Sequence, residues 1–201
     1  MRFHEIKNHL ARFRVGIAGA GGLGSNCAVA LARSGIGTLV ISDFDVVEPA
    51  NLNRQYYFTH QIGMLKTVAL KENISRINPD IIVLAHTEKL NEKNIPDIFS
   101  GCDVLVEAFD KKEMKAMLIE TVQIRMPGVP LIIGSGVAGW GKNEMIGCRK
   151  VDETLFICGD ESTEASDDLP PMAPRVGIVA NIQANLVVEI LMKKRMDYFK
   201  V

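Results

Sequence analysis

The glycine-rich segment at residues 19–24 constrains the fold more than any other feature of the sequence. Residues 14–18, which precede it, are a short β-branched run that predicts a strand, and the Ala-rich residues 25–34 have the apolar spacing of a helix. A second apolar run covers residues 38–42. Strand, tight loop, helix and strand together form a βαβ unit, and its parallel strands require a right-handed crossover.

The same alternation continues through the rest of the chain. Helices are predicted at residues 66–77, 91–100, 111–125 and 174–196, and strands at residues 81–85, 104–109 and 131–135. Two later strand-like runs, residues 143–149 and 153–158, follow glycine-rich turns and predict an antiparallel edge. We therefore expect one α/β domain over residues 1–201, a Rossmann-like, doubly wound, mainly parallel sheet with a C-terminal antiparallel extension.

Composition and charge limit the partners of such a domain. The 23 basic and 24 acidic residues leave a net charge of -1, so no general positive field exists to hold nucleic acid or anionic lipid. The first ten residues show no secretory signal, and polar side chains interrupt the longest apolar segment, residues 176–192. We expect a cytoplasmic protein that binds neither nucleic acid nor membrane, with any anion site formed locally.

The cysteines and one acidic segment narrow the possibilities further. The four cysteines, at positions 27, 102, 148 and 158, form no CxxC pair. This spacing argues against structural zinc and against a disulfide scaffold, and it favours a reducing compartment. Residues 159–171 are acidic and lack apolar periodicity, which predicts a mobile acidic loop.

The glycine-rich segment also carries the first functional signal. Gly19, Gly21 and Gly24 have the GxGxxG spacing that permits a tight turn, close approach of the backbone to phosphate, and close packing of the helix on the strand. The helix N-terminus would hold the phosphate through its unpaired N–H groups and its dipole. Asp43, which ends the second strand, is placed to accept hydrogen bonds from a ribose. This pattern fits a dinucleotide oxidoreductase and an ATP-using enzyme equally well.

Three further side chains favour ATP. A triphosphate about to release pyrophosphate is stabilised by an arginine and a lysine, and Arg54 and Lys66 meet that need. Asp110 follows a predicted parallel strand, where a carboxylate is a natural ligand for magnesium. Taken singly, each residue is as well explained as a solvated charge or a helix cap. Their joint occurrence in this order is what favours a nucleotidyl transfer.

Several segments resemble one family, the ThiF/MoeB/HesA adenylyltransferases, which are relatives of ubiquitin-activating enzymes. The resemblance covers almost the whole chain and is strongest to short ThiF-type proteins. It is carried by the glycine loop and by Asp-Phe-Asp at 43–45, Asn-Leu-Asn-Arg-Gln at 51–55, Ile-Gly-x-x-Lys at 62–66, Arg-Ile-Asn-Pro at 76–79, Glu-Ala-Phe-Asp at 107–110, Cys-Gly-Asp at 158–160 and Met-Ala-Pro at 172–174.

The resemblance implies a specific reaction. A homodimer would use ATP and Mg²⁺ to adenylylate the C-terminal glycine of a ThiS-like sulfur carrier, for the thiazole of thiamine. By position, Asp110 would hold magnesium, Asp43 the ribose, and Gly22 with neighbouring amides a phosphate. The remaining nucleotide-binding residues implied in this way are Asn51, Asn53, Arg54, Lys66 and Lys111.

The sequence also departs from the family pattern. Lys111 stands where the family has asparagine, Leu65 stands where it has proline, and no segment matches the arginine-containing stretch of longer members. The two zinc-binding CxxC pairs of those members are missing as well, so no structural zinc is expected. Cys158 lies in a segment that resembles a region used for sulfur transfer in some members. A small buried residue at a strand end is the better interpretation, because no neighbouring His or CxxC predicts a lowered pKa.

Three alternatives to the ThiS-type reaction stay open. The same chemistry could act on a molybdopterin-type or other ubiquitin-like carrier. An NAD-dependent oxidoreductase would explain the glycine loop but leave Arg54, Lys66 and Asp110 unused. A non-catalytic protein that binds the carrier would explain the missing arginine segment.

Overall fold

The computed structural model of the protein describes residues 2–197. Its helices are α1 (Phe3–Leu10), α2 (Gly22–Ser34), α3 (Lys66–Ile77), α4 (Ile95–Ile98), α5 (Lys112–Arg125) and α6 (Ala173–Asp197). Its strands are β1 (Arg14–Ala18), β2 (Thr38–Ser42), β3 (Ile82–His86), β4 (Val104–Glu107), β5 (Leu131–Gly134), β6 (Gly147–Lys150) and β7 (Leu155–Gly159). Single 3-10 turns occur at Pro49–Asn51, Thr59–Gln61 and Asn143–Met145.

The strands form one sheet in the order β3-β2-β1-β4-β5-β7-β6. All neighbouring pairs are parallel except β6 and β7, which are antiparallel. The chain first builds outward from β1 to β3 and then restarts on the other side of β1 with β4. A sheet of this type binds ligands at the carboxyl ends of its strands, where the order reverses. The doubly wound fold and its antiparallel extension are therefore confirmed, and the crevice lies between β1 and β4.

Two apolar layers cover the sheet, one on each face. The first contains Ile17 of β1 with residues of α2, α3 and α6, such as Cys27, Leu70 and Val179. The second contains Leu105 of β4 with residues of α4 and α5. Successive side chains of a strand point to opposite faces, so the central strands are apolar throughout because both faces are covered.

Helix α6 is the longest element and packs along α2. By length and composition alone, Ala173–Lys194 could cross a membrane. Part of its apolar surface is buried within the fold, since Val176, Val179 and Val187 lie in the layer that α6 shares with α2. A helix of a protein core passes the same test of length and apolar content, so this helix is weak support for a membrane span.

The structure differs most from the sequence prediction in four elements. Helix α1 was not predicted; it closes the first apolar layer through the buried side chain of Leu10. Helix α2 begins at Gly22, so Gly24 lies inside the helix. The helix predicted at residues 91–100 is reduced to Ile95–Ile98. The strand predicted at residues 143–149 begins only at Gly147, because Lys142 has a positive φ of 49° and a 3-10 turn follows it.

Candidate nucleotide-binding site

The glycine loop joins β1 to α2 at the edge of the crevice, and its close packing requires glycine at two positions. Gly19 has a φ of +98°, which other residues rarely adopt. A Cβ atom on Gly24 would lie 1.9 Å from the carbonyl oxygen of Gly19, so α2 can approach the loop only without a side chain there. Gly21, the N-cap of α2, supplies no side-chain acceptor. The N–H groups of the first turn are therefore available to an anion.

Asp43 ties the end of β2 to the glycine loop. Its Oδ2 accepts a hydrogen bond from the N–H of Ala20 at 2.7 Å, and its Oδ1 accepts one from the N–H of Asp45 at 2.8 Å. Burial raises the pKa of Asp43, although these two hydrogen bonds and the nearby charge of Lys66 oppose the rise. Each carboxylate oxygen can accept a second hydrogen bond. The residue is thus fixed in place and retains the capacity to bind a ribose hydroxyl.

Arg54 lies beside the glycine loop. A Cβ atom on Gly22 would be 3.6 Å from Cγ of Arg54, which places the stem of this side chain against the first turn of α2. Its Nη1 donates to Oδ1 of Asn53 at 2.8 Å and to the carbonyl of Ala50 at 3.3 Å. The backbone is held by Asn26 of α2, whose Nδ2 donates to the carbonyl of Arg54 at 2.9 Å. The predicted phosphate-binding arginine and the predicted phosphate loop are therefore neighbours.

Lys66, the first residue of α3, is buried. Its Nζ lies 2.8 Å from Oδ2 of Asp45, and the two side chains are 8% and 51% exposed. The backbones of the two residues are also joined, because the N–H of Lys66 donates to the carbonyl of Asp45 at 2.9 Å. The ammonium group thus has a partner that is itself half in water, and this partner can be exchanged for a phosphate.

Two amide side chains in the segment 51–55 have different surroundings. Asn51 is buried, and its Oδ1 accepts from the N–H of Glu48 at 3.0 Å, so the amide stabilises the 3-10 turn. Gln55 is also buried, and within the described residues its Oε1 has no hydrogen-bond partner. Its Nε2 is 3.9 Å from where a Cβ of Gly21 would be. Gln55 is therefore a candidate binding residue, to which the sequence analysis assigned no role.

Asp110 and Lys111 lie on the opposite side of the crevice, in the turn between β4 and α5, and both are exposed. This segment contacts the glycine loop, because a Cβ on Gly19 would be 2.9 Å from the carbonyl oxygen of Ala108. Between residues 2 and 197, no side chain forms an ion pair or hydrogen bond with the Asp110 carboxylate.

The arrangement fits a magnesium ion that is bound together with a nucleotide. The described part of the chain has no cluster of three or more His, Cys, Asp or Glu residues that could enclose a metal ion. Mg²⁺ at nucleotide sites is usually held by one or two carboxylates and by the phosphates themselves. The free, exposed carboxylate of Asp110 at the carboxyl end of β4 is suited to that role.

A buried polar network behind Asp110 was missed by sequence reasoning. Glu107 is fully buried at the end of β4, where it pairs with Nζ of Lys115 from α5 and accepts from the N–H of Phe109 at 2.7 Å. Nζ of Lys115 also donates to the carbonyl of Gly134 at 2.6 Å. Burial raises the pKa of Glu107, and the ion pair with Lys115 opposes the rise. The network fixes the turn that presents Asp110, and its only sequence signal is a glutamate inside an apolar strand.

A second buried ion pair anchors the start of the predicted acidic loop. Asp160 and Arg175 form it with side chains 1% and 3% exposed. Burial alone would raise the pKa of Asp160, but hydrogen bonds from Thr163, Ser162 and Arg175 lower it to about 2. No helix or strand follows in residues 160–172. The mobility of the loop stays a prediction, but Asp160, near its start, is fixed in the fold.

Cys158 lies in the apolar layer beneath α2 and α6 and is fully buried. Burial raises the pKa of its thiol, and the facing Cys148 raises it further. A buried thiol with a raised pKa is a poor nucleophile. This environment favours the interpretation of Cys158 as a small buried residue over a role in sulfur transfer.

The glycine loop, the helix N-terminus and the carboxylates after β2 and β4 define a doubly wound nucleotide-binding protein. Residues 3–201 match the ThiF family. The chain therefore belongs to this family, and the resemblance read from its sequence is confirmed.

The most similar relatives include an adenylyltransferase and an activating enzyme. Over 130 residues the chain is 36% identical to the adenylyltransferase and sulfurtransferase uba4 of Aspergillus niger, which covers 64% of this chain and 27% of the relative. Over 132 residues it is 33% identical to the SAMP-activating enzyme E1 of Haloferax volcanii, which covers 65% of this chain and 48% of the relative. The chain thus aligns with less than half the length of either relative.

Solved structures share the fold over almost the whole chain. The E. coli tRNA N6-threonylcarbamoyladenosine dehydratase TcdA, in complex with ATP, has a TM-score of 0.86 at 20% identity. The match covers 96% of this chain and 91% of TcdA. E. coli MccB with ATP gives a TM-score of 0.70 at 24% identity, covering 94% of this chain and 58% of MccB.

Proposed function

We propose that this protein uses ATP to adenylylate the C-terminal glycine of a small ubiquitin-like sulfur carrier of the ThiS type. The observation that carries the proposal is the placement of Arg54 and Asp110 on either side of one helix N-terminus at the crevice. A dinucleotide-binding oxidoreductase needs the helix N-terminus but neither of these side chains. The names of the relatives, an adenylyltransferase and an activating enzyme E1, support the same reaction class.

In this reaction the carboxylate of the carrier attacks the α-phosphate of ATP. An acyl-adenylate forms, and pyrophosphate leaves. A carboxylate is ionised at neutral pH and needs no general base, so the protein acts by positioning its substrates and stabilising charge. The first-turn amides of α2 bind a phosphate, and Asp43 binds the ribose. Arg54 and Lys66 stabilise the negative charge that collects on the departing pyrophosphate.

Lys66 must change partner to do this. Its ammonium group is held by Asp45, whose half-exposed carboxylate can turn into solvent when a phosphate arrives. Asn51, Asn53 and Lys111 contribute further polar groups around the phosphates. Asp110 is the carboxylate of this chain that would hold magnesium, which would neutralise phosphate charge when bound.

The proposal extends to the setting of the reaction. We infer a cytoplasmic homodimer that supplies an activated carrier for the thiazole of thiamine. These points rest on the resemblance of the chain to short ThiF-type proteins. The acidic loop at residues 159–171 would then cover the C-terminal tail of the carrier, and deletion of residues 161–168 would reduce adenylylation.

The test is ATP–pyrophosphate exchange that depends on the carrier, measured with purified protein. Arg54→Ala and Asp110→Ala should each lower the exchange rate by roughly 10²-fold or more, because each removes charge stabilisation from the transition state. Arg125→Ala is the matched control. This exposed arginine ends α5, away from the crevice, and its removal should leave exchange unchanged.

The same assay separates the alternatives. Exchange with a molybdopterin-type carrier but not with a ThiS-type carrier would reassign the substrate. Tight carrier binding without exchange would show a non-catalytic carrier-binding protein. Turnover that depends on a nicotinamide cofactor would overturn the proposal.

A further inference from the structure

Two cysteines face each other at the antiparallel edge of the sheet. In the ladder between β6 and β7, Cys148 is the direct partner of Cys158. The N–H of Val151 donates to the carbonyl of Leu155 at 2.8 Å, which marks these two residues as a hydrogen-bonded pair. Because the two kinds of pair alternate along an antiparallel ladder, Cys148 and Cys158 form a non-hydrogen-bonded pair.

This position has the geometry that a disulfide requires. Directly opposed residues of a non-hydrogen-bonded pair have Cα atoms about 4.5 Å apart, and their side chains lie on the same face. Disulfides join cysteines whose Cα atoms are roughly 4.4 to 6.8 Å apart. Both sulfurs are free thiols in this structure. No movement of the backbone is needed to bring Cys148 and Cys158 within bonding distance.

The two thiols differ in their access to solvent. Cys148 is exposed on the edge strand, whereas Cys158 is completely buried in the layer beneath α2 and α6. An oxidant in solution therefore meets Cys148 first. Cys27 and Cys102 are both buried, and burial raises the pKa of both thiols. Among the four cysteines, only Cys148 combines exposure with a neighbouring thiol.

We propose that Cys148 and Cys158 form an oxidation site, in which a peroxide converts the cross-strand pair into a disulfide. The sulfur of Cys148 attacks one oxygen of the peroxide, the O–O bond breaks, and Cys148 becomes a sulfenic acid as water leaves. Burial makes Cys158 a poor nucleophile towards reagents in solution, but it is held directly opposite Cys148. Its sulfur then attacks that of Cys148, the S–O bond breaks, and the S–S bond forms. The proton of Cys158 leaves with the hydroxide as a second water. The two thiols supply the two electrons that reduce the peroxide.

The disulfide would join the edge strand covalently to the sheet. Strand β7 leads through Gly159 into Asp160, the residue that anchors the acidic loop to α6. Oxidation thus fixes the hairpin from which the loop emerges. In a reducing compartment other thiols reverse the bond, so the site responds to oxidation for as long as the oxidant is present. The inference does not depend on the proposed adenylyltransferase activity.

The test is oxidation of the full chain with hydrogen peroxide, followed by thiol titration and by mass mapping of peptides without reduction. The wild-type protein should lose two of its four thiols and give one peptide pair linked through Cys148 and Cys158. Dithiothreitol should restore both thiols. The oxidised protein should also unfold at a higher temperature than the reduced protein, because the link restricts the unfolded chain.

Two variants provide the controls. Cys148→Ser removes the exposed thiol from a fully exposed strand, so the protein should fold normally but form no intrachain disulfide. The double variant Cys148→Ser/Arg149→Cys moves the thiol one residue along the strand and therefore to the opposite face. The cysteine introduced at position 149 should be oxidised but should not pair with Cys158.

Three results would overturn the proposal. In the first, the wild type keeps all four thiols at a peroxide dose that oxidises the double variant. In the second, the disulfide joins Cys148 residues of two separate chains. In the third, Cys148 is oxidised to a sulfinic acid without any link to Cys158.

Discussion

Two regions of the molecule, the segment around the glycine loop and the junction of β7 with α6, use charged residues in opposite ways. Beside the glycine loop, Lys66 pairs with a carboxylate that is half in water, and Arg54 donates to the exposed Asn53 and to a backbone carbonyl. At the junction of β7 with α6, the ion pair of Asp160 and Arg175 is buried. Charges that can exchange partners thus occur where a ligand would bind, whereas charges that are buried in a pair stabilise the fold. The comparison predicts which substitutions alter binding and which alter stability.

The largest effect is expected at the buried ion pair. Asp160→Ala leaves the guanidinium group of Arg175 buried without its carboxylate, which should lower the free energy of unfolding by about 3 to 5 kcal/mol. Urea-induced unfolding measures the change. Glu153→Ala removes an ion pair in which Glu153 is 93% and Lys150 49% exposed, and it should have no measurable effect. If both variants lost the same small amount of stability, the distinction between the two regions would be wrong.

The next effect is expected within the glycine loop, where stability depends on backbone packing. A Cβ on Gly24 would lie 1.9 Å from the carbonyl oxygen of Gly19, so Gly24→Ala should lower the free energy of unfolding by about 1 to 3 kcal/mol and weaken nucleotide binding. Gly21→Ala is the matched control because its nearest neighbour would be 3.9 Å away. It should keep the stability of the wild type. Thermal unfolding with and without ATP distinguishes these outcomes, and equal stability of the two variants would contradict the packing argument.

A smaller effect is expected from acid. The pKa of Asp160 is about 2 in the folded protein, below the value of roughly 3.9 expected in an unfolded chain. Its contribution to stability is therefore complete above about pH 4 and is lost as the pH falls towards 2. Asp160→Asn should flatten that part of the pH profile of unfolding. A wild-type profile that matched the variant between pH 4 and 2 would count against the depressed pKa.

The smallest effect is expected at the surface of the acidic loop. Lys112 forms an ion pair with Glu164, and both side chains are mostly in solvent. Lys112→Ala should leave the midpoint of thermal unfolding unchanged, because such pairs are hydrated and screened by salt. A clear loss of stability would mean that exposed charges also help to hold the loop.

Local patterns in the sequence were sufficient to predict several elements in the first half of the fold. The strands at residues 14–18 and 38–42 and the helix at residues 66–77 have the predicted bounds. The two strands are apolar runs followed by glycine and aspartate, and the helix ends before Pro79, so the ends are encoded within a few residues. The alternation of strands and helices predicted the doubly wound class, because parallel strands with right-handed crossovers leave few arrangements.

The features that the sequence did not predict depend on contacts between distant residues. Glu107 is stabilised by Lys115 of α5, and its backbone carbonyl accepts a hydrogen bond from Gln183 of α6. The sequence places Asp160 in a predicted acidic loop, whereas in the structure its carboxylate is buried against Arg175. Helix α1 has a mixed composition, and its buried end is explained by its contact with α6. No local pattern reports such partners, because they are brought together only by the completed fold.

The candidate site was predicted in part. The positions of Gly19, Asp43 and Asp110 followed from the rule that loops at the carboxyl ends of parallel strands meet at one edge. That rule predicts where a side chain lies but not which side chain it pairs with. The pairing of Lys66 with Asp45 and the unpaired amide oxygen of Gln55 needed the arrangement of residues 45–66 around the loop.

The exposed strand β6 also affects how this protein behaves among its own copies. It lies at one border of the sheet, and it carries Arg149 and Lys150 on a backbone with free hydrogen-bonding groups along its outer side. Both side chains are paired within this chain, Arg149 with Glu161 and Lys150 with Glu153. A second sheet that continued the ladder would have to rearrange these pairs, so the charged border disfavours edge-to-edge association of copies.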